Sequence, residues 1–208
     1  MKCKTLILLL VIAAAATDTG AQPTQDMQNR VQRYLDGISY WRFQYNAEDT
    51  SFGHTVAAED SIYAMNDSLM DYLLNIAPSQ PGILKRKPVL KENADIKITA
   101  SADNNVVVYC WNTHTGEVDF YNAVVLYETN AGVKALKLAN ASDAKEMKKA
   151  SGEFYDVLNV SNDDGNRYYI FLARVKMSER DMLNIMTAYS LADNELKVVE
   201  LFSGGMSS

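Results

Sequence analysis

Side chains that could carry nucleophilic chemistry are few in this chain. Its 208 residues include two histidines, His54 and His114, and two cysteines, Cys3 and Cys110. Hydrolysis by a nucleophile needs a serine or cysteine that meets a base in space, and Cys110 with His114 is the most suggestive pair. Four residues of strand and turn separate the two by roughly 12 Å, since a strand rises ~3.3 Å per residue. This spacing favours an inert core cysteine over a catalyst.

Motifs for metal or phosphate binding are also missing. Zinc sites combine three or four His, Cys, Asp or Glu ligands, and neither H-E-x-x-H nor C-x-x-C occurs. Residues 162–166 (NDDGN) offer several oxygens but lack the alternating acids and distal glutamate of an EF-hand. We interpret this segment as a hairpin turn, and we predict no catalytic residue, no metal and no cofactor.

Carboxylates leave one enzymatic alternative open. Glycoside hydrolysis needs only two acids about 5–10 Å apart, which any sheet can supply. Acids on or beside predicted strands are Glu117, Asp119, Glu128, Glu153 and Asp156. Most such residues are solvated strand ends. A carboxylate-dependent hydrolase acting on glycan or peptide is therefore the alternative to a non-enzymatic protein.

Aromatic residues are the richest feature of the chain. There are 12 Tyr, 6 Phe and 2 Trp, with a local cluster over residues 40–45. Core packing explains much of this cluster, but Tyr and Trp also suit surfaces that bind a protein or a glycan. The side chains that we predict for a ligand or partner surface are Tyr40, Phe43, Trp111, Tyr121 and Tyr169.

The N-terminus has the organisation of a secretory signal peptide. Lys2 and Lys4 precede an apolar run over residues 6–16, and small residues follow it up to Ala21. A transmembrane helix needs ~20 apolar residues, so this run is too short for an anchor. We predict cleavage after Ala21, with Ala15 or Ala16 as alternatives, and a periplasmic or secreted protein without stable membrane insertion.

Net charge and cysteine content narrow the function classes further. Residues 1–21 hold two lysines and one aspartate, so their removal changes the net charge from −6 to −7. An acidic chain without a basic cluster is not expected to bind nucleic acid. Cleavage also removes Cys3, and Cys110 alone cannot form an intramolecular disulfide.

Hydrophobic periodicity predicts a pair of helices at the N-terminus of the mature chain. Apolar residues recur in steps of three and four from Thr24 to Tyr45 and again from Ala57 to Ile76. The helical pair occupies residues 22–77 in this interpretation. Prolines at 78, 81 and 88 then define a linker over residues 78–92.

The remaining residues, 93–203, are predicted to form strands. Residues 204–208 are predicted to be a short tail. Turn signals recur at spacings of roughly 8–12 residues, which is typical of antiparallel strands. A short helix, Asp143–Ala150, interrupts them. The residues of Asn105–Asn112 are apolar on both faces, which predicts a central strand that is covered on both sides. We expect an α+β fold in which two helices pack on a twisted antiparallel meander of seven to eight strands, forming a single domain.

Two resemblances accompany this interpretation. Residues 101–117 are similar to the last two strands of a WD-repeat blade, but a propeller needs at least four blades and this chain is too short for them. The signal sequence ending in Ala-Gln, the helical pair, the proline-rich linker and the stretch from Ser101 to Gly116 resemble uncharacterised exported proteins of Bacteroidetes-type bacteria. This resemblance implies an exported α+β domain and no catalytic motif.

The sequence therefore predicts an exported, non-enzymatic binding or interaction module of the bacterial envelope. Its expected partner is a protein or a glycan. A homodimer formed through a sheet edge is a further prediction, because an unpaired edge can pair with a second copy. The sequence does not decide whether the sheet is open or closes into a barrel.

Overall fold

The fold is described from a computed structural model. The model describes residues 22–46, 54–80, 82–85, 88–91, 95–115, 119–139, 152–163, 165–176 and 180–200. The predicted signal peptide, the predicted helix Asp143–Ala150 and the predicted tail at 204–208 lie outside the described residues.

Two helices form the N-terminal part, as predicted. Helix α1 spans Gln22–Asn46 and α2 spans His54–Asp71, followed by a π-helical turn at Tyr72–Ile76 and a 3-10 turn at Ala77–Ser79. The apolar residues that recur along α1 form the face that packs into the core. Those buried there are Met27, Val31, Leu35 and Ile38. Gly37 lets the two helices approach each other at Met65.

Eight antiparallel strands follow, which confirms the α+β class. They are β1 (Ile96–Ala100), β2 (Val106–Asn112), β3 (Tyr121–Thr129), β4 (Gly132–Ala139), β5 (Glu153–Ser161), β6 (Arg167–Lys176), β7 (Met182–Ala192) and β8 (Glu195–Val199). They form two four-stranded meanders, β1-β2-β3-β4 and β5-β6-β7-β8, rather than one continuous sheet. Neither sheet closes into a barrel. The sheets meet at their edges, where Thr99 Oγ1 donates a hydrogen bond to Tyr155 O at 3.3 Å.

Three layers result, with the first sheet in the middle. One face of that sheet packs on the helices through residues such as Val107, Tyr109 and Trp111. The opposite face packs on the second sheet through Val108, Cys110 and their neighbours. Every residue from Val106 to Trp111 is buried, so the prediction of a doubly covered central strand is confirmed.

The predicted linker at 78–92 is packed against the domain where it is described. Ile83 and Leu84 are buried in the same core cluster as the helices, because their apolar side chains offset the loss of regular backbone pairing. Lys91 holds the far end of the segment to α1, since its backbone N–H donates to Gln32 Oε1 at 2.9 Å. Its ammonium also lies 2.6 Å from Asp36 Oδ2.

A buried asparagine joins α2 to the end of β2. Asn66 Nδ2 donates to Thr113 O at 2.9 Å and to Ile62 O at 2.8 Å. Its Oδ1 accepts a hydrogen bond from Trp111 Nε1 at 2.9 Å. Asn66 therefore satisfies the polar groups that this helix and strand would otherwise bury without a partner.

Candidate functional site

Four hairpin turns lie together at one end of the two sheets. Each sheet is a meander, so its first and third turns lie at the same end, and the two sheets bring these ends together. A cleft of about 560 Å³ opens between them, and we name it the turn-end cleft. Each of the four turns contributes one asparagine to its lining: Asn105, Asn130, Asn166 and Asn194.

The turn between β7 and β8 fixes one wall of this cleft. Asp193 and Asn194 both have positive φ angles, 55° and 61°, as the two central residues of a type I′ hairpin require. Asn194 Oδ1 accepts a hydrogen bond from Asn130 N at 3.1 Å, which ties this turn to the one between β3 and β4. The cleft is thus held by a contact between the two sheets.

An ionised aspartate lies beneath the cleft. Asp103 accepts hydrogen bonds from Ser101 Oγ at 2.6 Å and from Tyr169 OH at 3.1 Å. It also accepts one from the backbone N–H of Asn105 at 3.1 Å. Burial alone would raise the pKa of Asp103, but these hydrogen bonds stabilise the carboxylate and hold the pKa below its ordinary value of 3.8.

Charged side chains at the cleft are distributed unevenly. The carboxylate of Asp193 lies 3.4 Å from Lys197 Nζ. Arg167 favours the ionised form of Asp103 electrostatically. Glu128 contributes to the lining, yet strand alternation puts its side chain on the same face of β3 as Val124 and Leu126, away from the second sheet. Asp193 and Asp103 therefore each have one cation nearby, Lys197 and Arg167 respectively.

A second cavity of about 300 Å³ lies beside β1 and contains Cys110 and Tyr121 in its lining. Burial raises the pKa of the Cys110 thiol to about 12. Burial, with the nearby carboxylates of Asp119 and Glu153, raises the pKa of Tyr121 to about 12. Both groups are neutral at physiological pH, and the thiolate that a nucleophile requires is not formed.

Cys110 and His114 are not brought together. The sulfur of Cys110 accepts a hydrogen bond from the backbone N–H of Phe154 at 3.3 Å. His114 Nε2 instead lies 2.7 Å from Asp95 Oδ2. Cys110 therefore packs as a core cysteine.

The C-terminal end of α1 carries an aromatic cluster, which we name the aromatic tip; Tyr40, Phe43 and Tyr45 are exposed and Trp41 is half-buried. Tyr40 is 56% exposed and Phe43 is 69% exposed. The rings of Tyr40 and Trp41 meet edge to face, with centroids 5.1 Å apart. The Arg42 guanidinium lies 5.5 Å from the ring centroid of Tyr45. Two of the five predicted surface residues, Tyr40 and Phe43, thus lie on one exposed helix end.

The other predicted surface residues are placed differently. Trp111 is fully buried between the first sheet and the helices, so its expected position on a binding surface is wrong. The ring of Tyr169 is also buried, and only its hydroxyl is directed at Asp103 below the cleft. Tyr121 is half-buried in the wall of the second cavity. For Trp111 the pattern of Asn105–Asn112 already indicated a covered position, whereas the burial of Tyr169 follows from the packing of the second sheet on the first.

Sequence reasoning missed the turn-end cleft. Asn130, Asn166 and Asn194 read as ordinary turn residues, since asparagine is common wherever a positive φ or a local side-chain bond is needed. The order of the strands places the first and third turns of each meander at the same end. This order indicates a cleft lined by four turns only if the strands form two sheets rather than one. The described residues of the predicted turn at 162–166 are joined by a hydrogen bond from Asn166 N to Asn162 Oδ1 at 2.8 Å.

Comparisons with known proteins leave the chain without an assigned family. No protein-family model matches it, and no curated protein or solved structure does. Within the described residues, no group of three or more His, Cys, Asp or Glu side chains could hold a metal ion. Among those same segments, no helix has the length and apolarity needed to cross a membrane.

Proposed function

We propose that this chain is an exported, non-enzymatic interaction module that docks a protein of the bacterial envelope through its aromatic tip. The observation that carries the proposal is the exposure of Tyr40 and Phe43 on one helix end. Large aromatic side chains are normally buried, and a cluster that remains in water marks a contact surface.

The tip is separate from the core of the domain. Up to Ile38, the apolar stripe of α1 is buried against the first sheet. Beyond Ile38 the aromatic residues continue but none of them is buried. Packing within this domain therefore does not account for their number or size.

The composition of the tip favours a protein as the partner. Tyrosine, tryptophan and arginine are the residues most enriched where binding energy concentrates in protein interfaces. The tip holds all three within residues 40–45, and Arg42 is the one charged side chain among them. A glycan that stacks on the rings is the competing partner, and the experiment below separates the two.

Substitution of the tip tests the proposal. The variant Tyr40→Ser/Phe43→Ser changes two exposed side chains, and Val198→Ser is a matched control on β8, where the valine is 66% exposed. Wild type and control should retain the same envelope protein from detergent extract, while the tip variant loses at least about tenfold of it. Equal retention by the tip variant contradicts the proposal, as does binding of purified envelope polysaccharide that is lost in the tip variant.

The hydrolase alternative rests on the carboxylates of the turn-end cleft. Glu128 and Asp193 both contribute to its lining. Asp103 is hydrogen-bonded as an anion and cannot supply a proton as a general acid at neutral pH. Hydrolysis of envelope glycan or peptide that is abolished by Asp193→Asn would support the alternative and overturn a non-enzymatic function.

A homodimer formed through a sheet edge is also part of the proposal; in it the partner is a second copy of the chain. Within the described residues, the outer strands are β1, β4, β5 and β8; β1 and β5 lie against each other, and the other two are β4 and β8. Both carry exposed lysines, Lys134, Lys137 and Lys197, which discourage strand addition. Size-exclusion chromatography at high concentration tests this; elution only as a monomer counts against a homodimer.

A further inference from the structure

The turn-end cleft contains polar groups that the fold itself does not use. Within the described residues, no hydrogen bond to the side-chain amide of Asn130 or Asn166 is present, and Asn194 uses only its Oδ1. The guanidinium of Arg167 likewise has no hydrogen-bonded partner there. All four residues line the turn-end cleft although they come from three different turns, and Asn130, Asn166 and Arg167 are exposed there.

The chemistry of these groups matches a polyhydroxyl ligand. A side-chain amide offers a donor and an acceptor side by side, and each hydroxyl group also donates and accepts. Two adjacent hydroxyls of a sugar ring can therefore pair with one amide in two hydrogen bonds. The cleft volume of about 560 Å³ lies within the range of small-molecule sites, ~300–1,000 Å³.

Charge argues against an anionic ligand. Asp103 lies below the cleft as a fixed carboxylate, and its field opposes a second negative charge nearby. Arg167 is the one cation that lines the cleft among the described residues, and Asp103 already attracts it. A neutral ligand avoids this repulsion.

The cleft is also built to keep its shape. The bond from Asn130 N to Asn194 Oδ1 joins the two sheets across it, and Tyr169 OH joins the second sheet to Asp103 of the first. A site held by such contacts loses little conformational freedom on binding, which favours recognition by weak, directed hydrogen bonds.

From these observations, we infer that the turn-end cleft is a binding site for a neutral saccharide. The amides of Asn130 and Asn166 bind adjacent hydroxyl groups, and Asn194 Nδ2 and Arg167 donate to further sugar oxygens. This site is independent of the aromatic tip and of the protein partner proposed for it.

Nuclear magnetic resonance titration of the purified chain tests the inference. The probes are cellobiose, mannobiose, lactose and chitobiose, each up to about 10 mM, since unaided hydrogen-bond recognition gives affinities near the millimolar range. At least one disaccharide should shift the backbone resonances of Asn130, Asn166 and Asn194 in a saturable way. No shift with any of the four overturns the inference.

Variants and a charged analogue decide how the sugar is held. Asn130→Ala and Asn166→Ala should each weaken binding by about tenfold, as expected for loss of a paired amide. Asn184→Ala is the matched control, because Asn184 is an exposed asparagine on β7 outside the cleft. Methyl glucuronide should shift these resonances less than methyl glucoside. Equal loss in the control, or stronger binding of the glucuronide, contradicts the assignment.

A final arm distinguishes envelope polysaccharide from a free sugar as the source. If the ligand is polymeric, cell-wall polysaccharide should compete for the same resonances and its binding should fall in Asn166→Ala. If only the disaccharides compete, the ligand is a soluble saccharide. Both results support a saccharide site.

Discussion

At the scale of single residues, polar side chains explain how the layers are joined. Asn66 connects a helix to a strand through hydrogen bonds with Trp111 and Thr113, and Asp103 connects the two sheets through its bond from Tyr169. Sequence patterns cannot reveal such links, because the paired residues are 45 or more positions apart in the chain. By contrast, the sequence predicts that Cys110 is a core residue, and its burial confirms this.

Replacing Asn66 should destabilise the fold strongly. Asn66→Ala leaves Trp111 Nε1 and Thr113 O buried without a partner, which should lower the free energy of unfolding by about 2–4 kcal/mol. Ser68→Ala, an exposed position in the same helix, should change it by less than about 0.5 kcal/mol. Urea denaturation measures both, and similar values for the two variants contradict this role.

Asp103 should make stability depend on acid pH. The pKa of Asp103 is lowered in the folded state, so the aspartate stabilises the fold above the unfolded pKa near 3.8 and loses this effect as pH falls. Asp103→Asn should therefore be less stable than wild type at pH 7, with the difference shrinking below about pH 4. Asp163→Asn, in an exposed turn, is the control. A pH-independent difference for Asp103→Asn rules out this linkage.

At the scale of elements, periodicity predicted both helices and the strands, with small shifts at their ends. It succeeded because one face of α1 and both faces of β2 are buried, which leaves clear patterns of three to four residues and of continuous apolar residues. It did not predict the division into two sheets. Within each sheet every strand pairs with its neighbour in the chain, which is local, but the packing of one sheet on the other leaves no pattern in the sequence.

The start of β5 depends on a close approach to β6. A Cβ atom at Gly152 would lie 2.9 Å from Val175 Cγ2 and 3.1 Å from the backbone oxygen of Arg174. Gly152→Ala should therefore cost about 1–3 kcal/mol of stability. Gly37→Ala is the informative comparison, because its Cβ would meet the flexible side chain of Met65 and alanine favours a helix by about 1 kcal/mol. Thermal denaturation that ranks the two variants in the opposite order contradicts this packing.

At the scale of the whole molecule, the helical layer and the second sheet cover opposite faces of the first sheet. This arrangement leaves two surfaces at its margins, the aromatic tip at the end of α1 and the turn-end cleft between the sheets. The tip could be predicted from sequence in part, through Tyr40 and Phe43. The cleft could not, because its asparagines come together only after the sheets are stacked.

Export is expected to shorten the chain at a defined point. Cleavage after Ala21 predicts that the mature protein begins at Gln22, which is the first residue of α1. Mass spectrometry of protein isolated from the producing cells should give this N-terminus in the envelope or medium fraction. A full-length chain recovered from the cytoplasm contradicts export.

Photo-crosslinking in the producing cells tests the central claim most directly. A photoreactive phenylalanine analogue at Tyr40 or Phe43 lies within the aromatic tip, while the same analogue at Val198 lies on the second sheet and is the control. If the tip docks an envelope protein, positions 40 and 43 should give the same crosslinked protein and position 198 should not. Absence of a crosslink at both tip positions, or an identical product at position 198, would contradict the account.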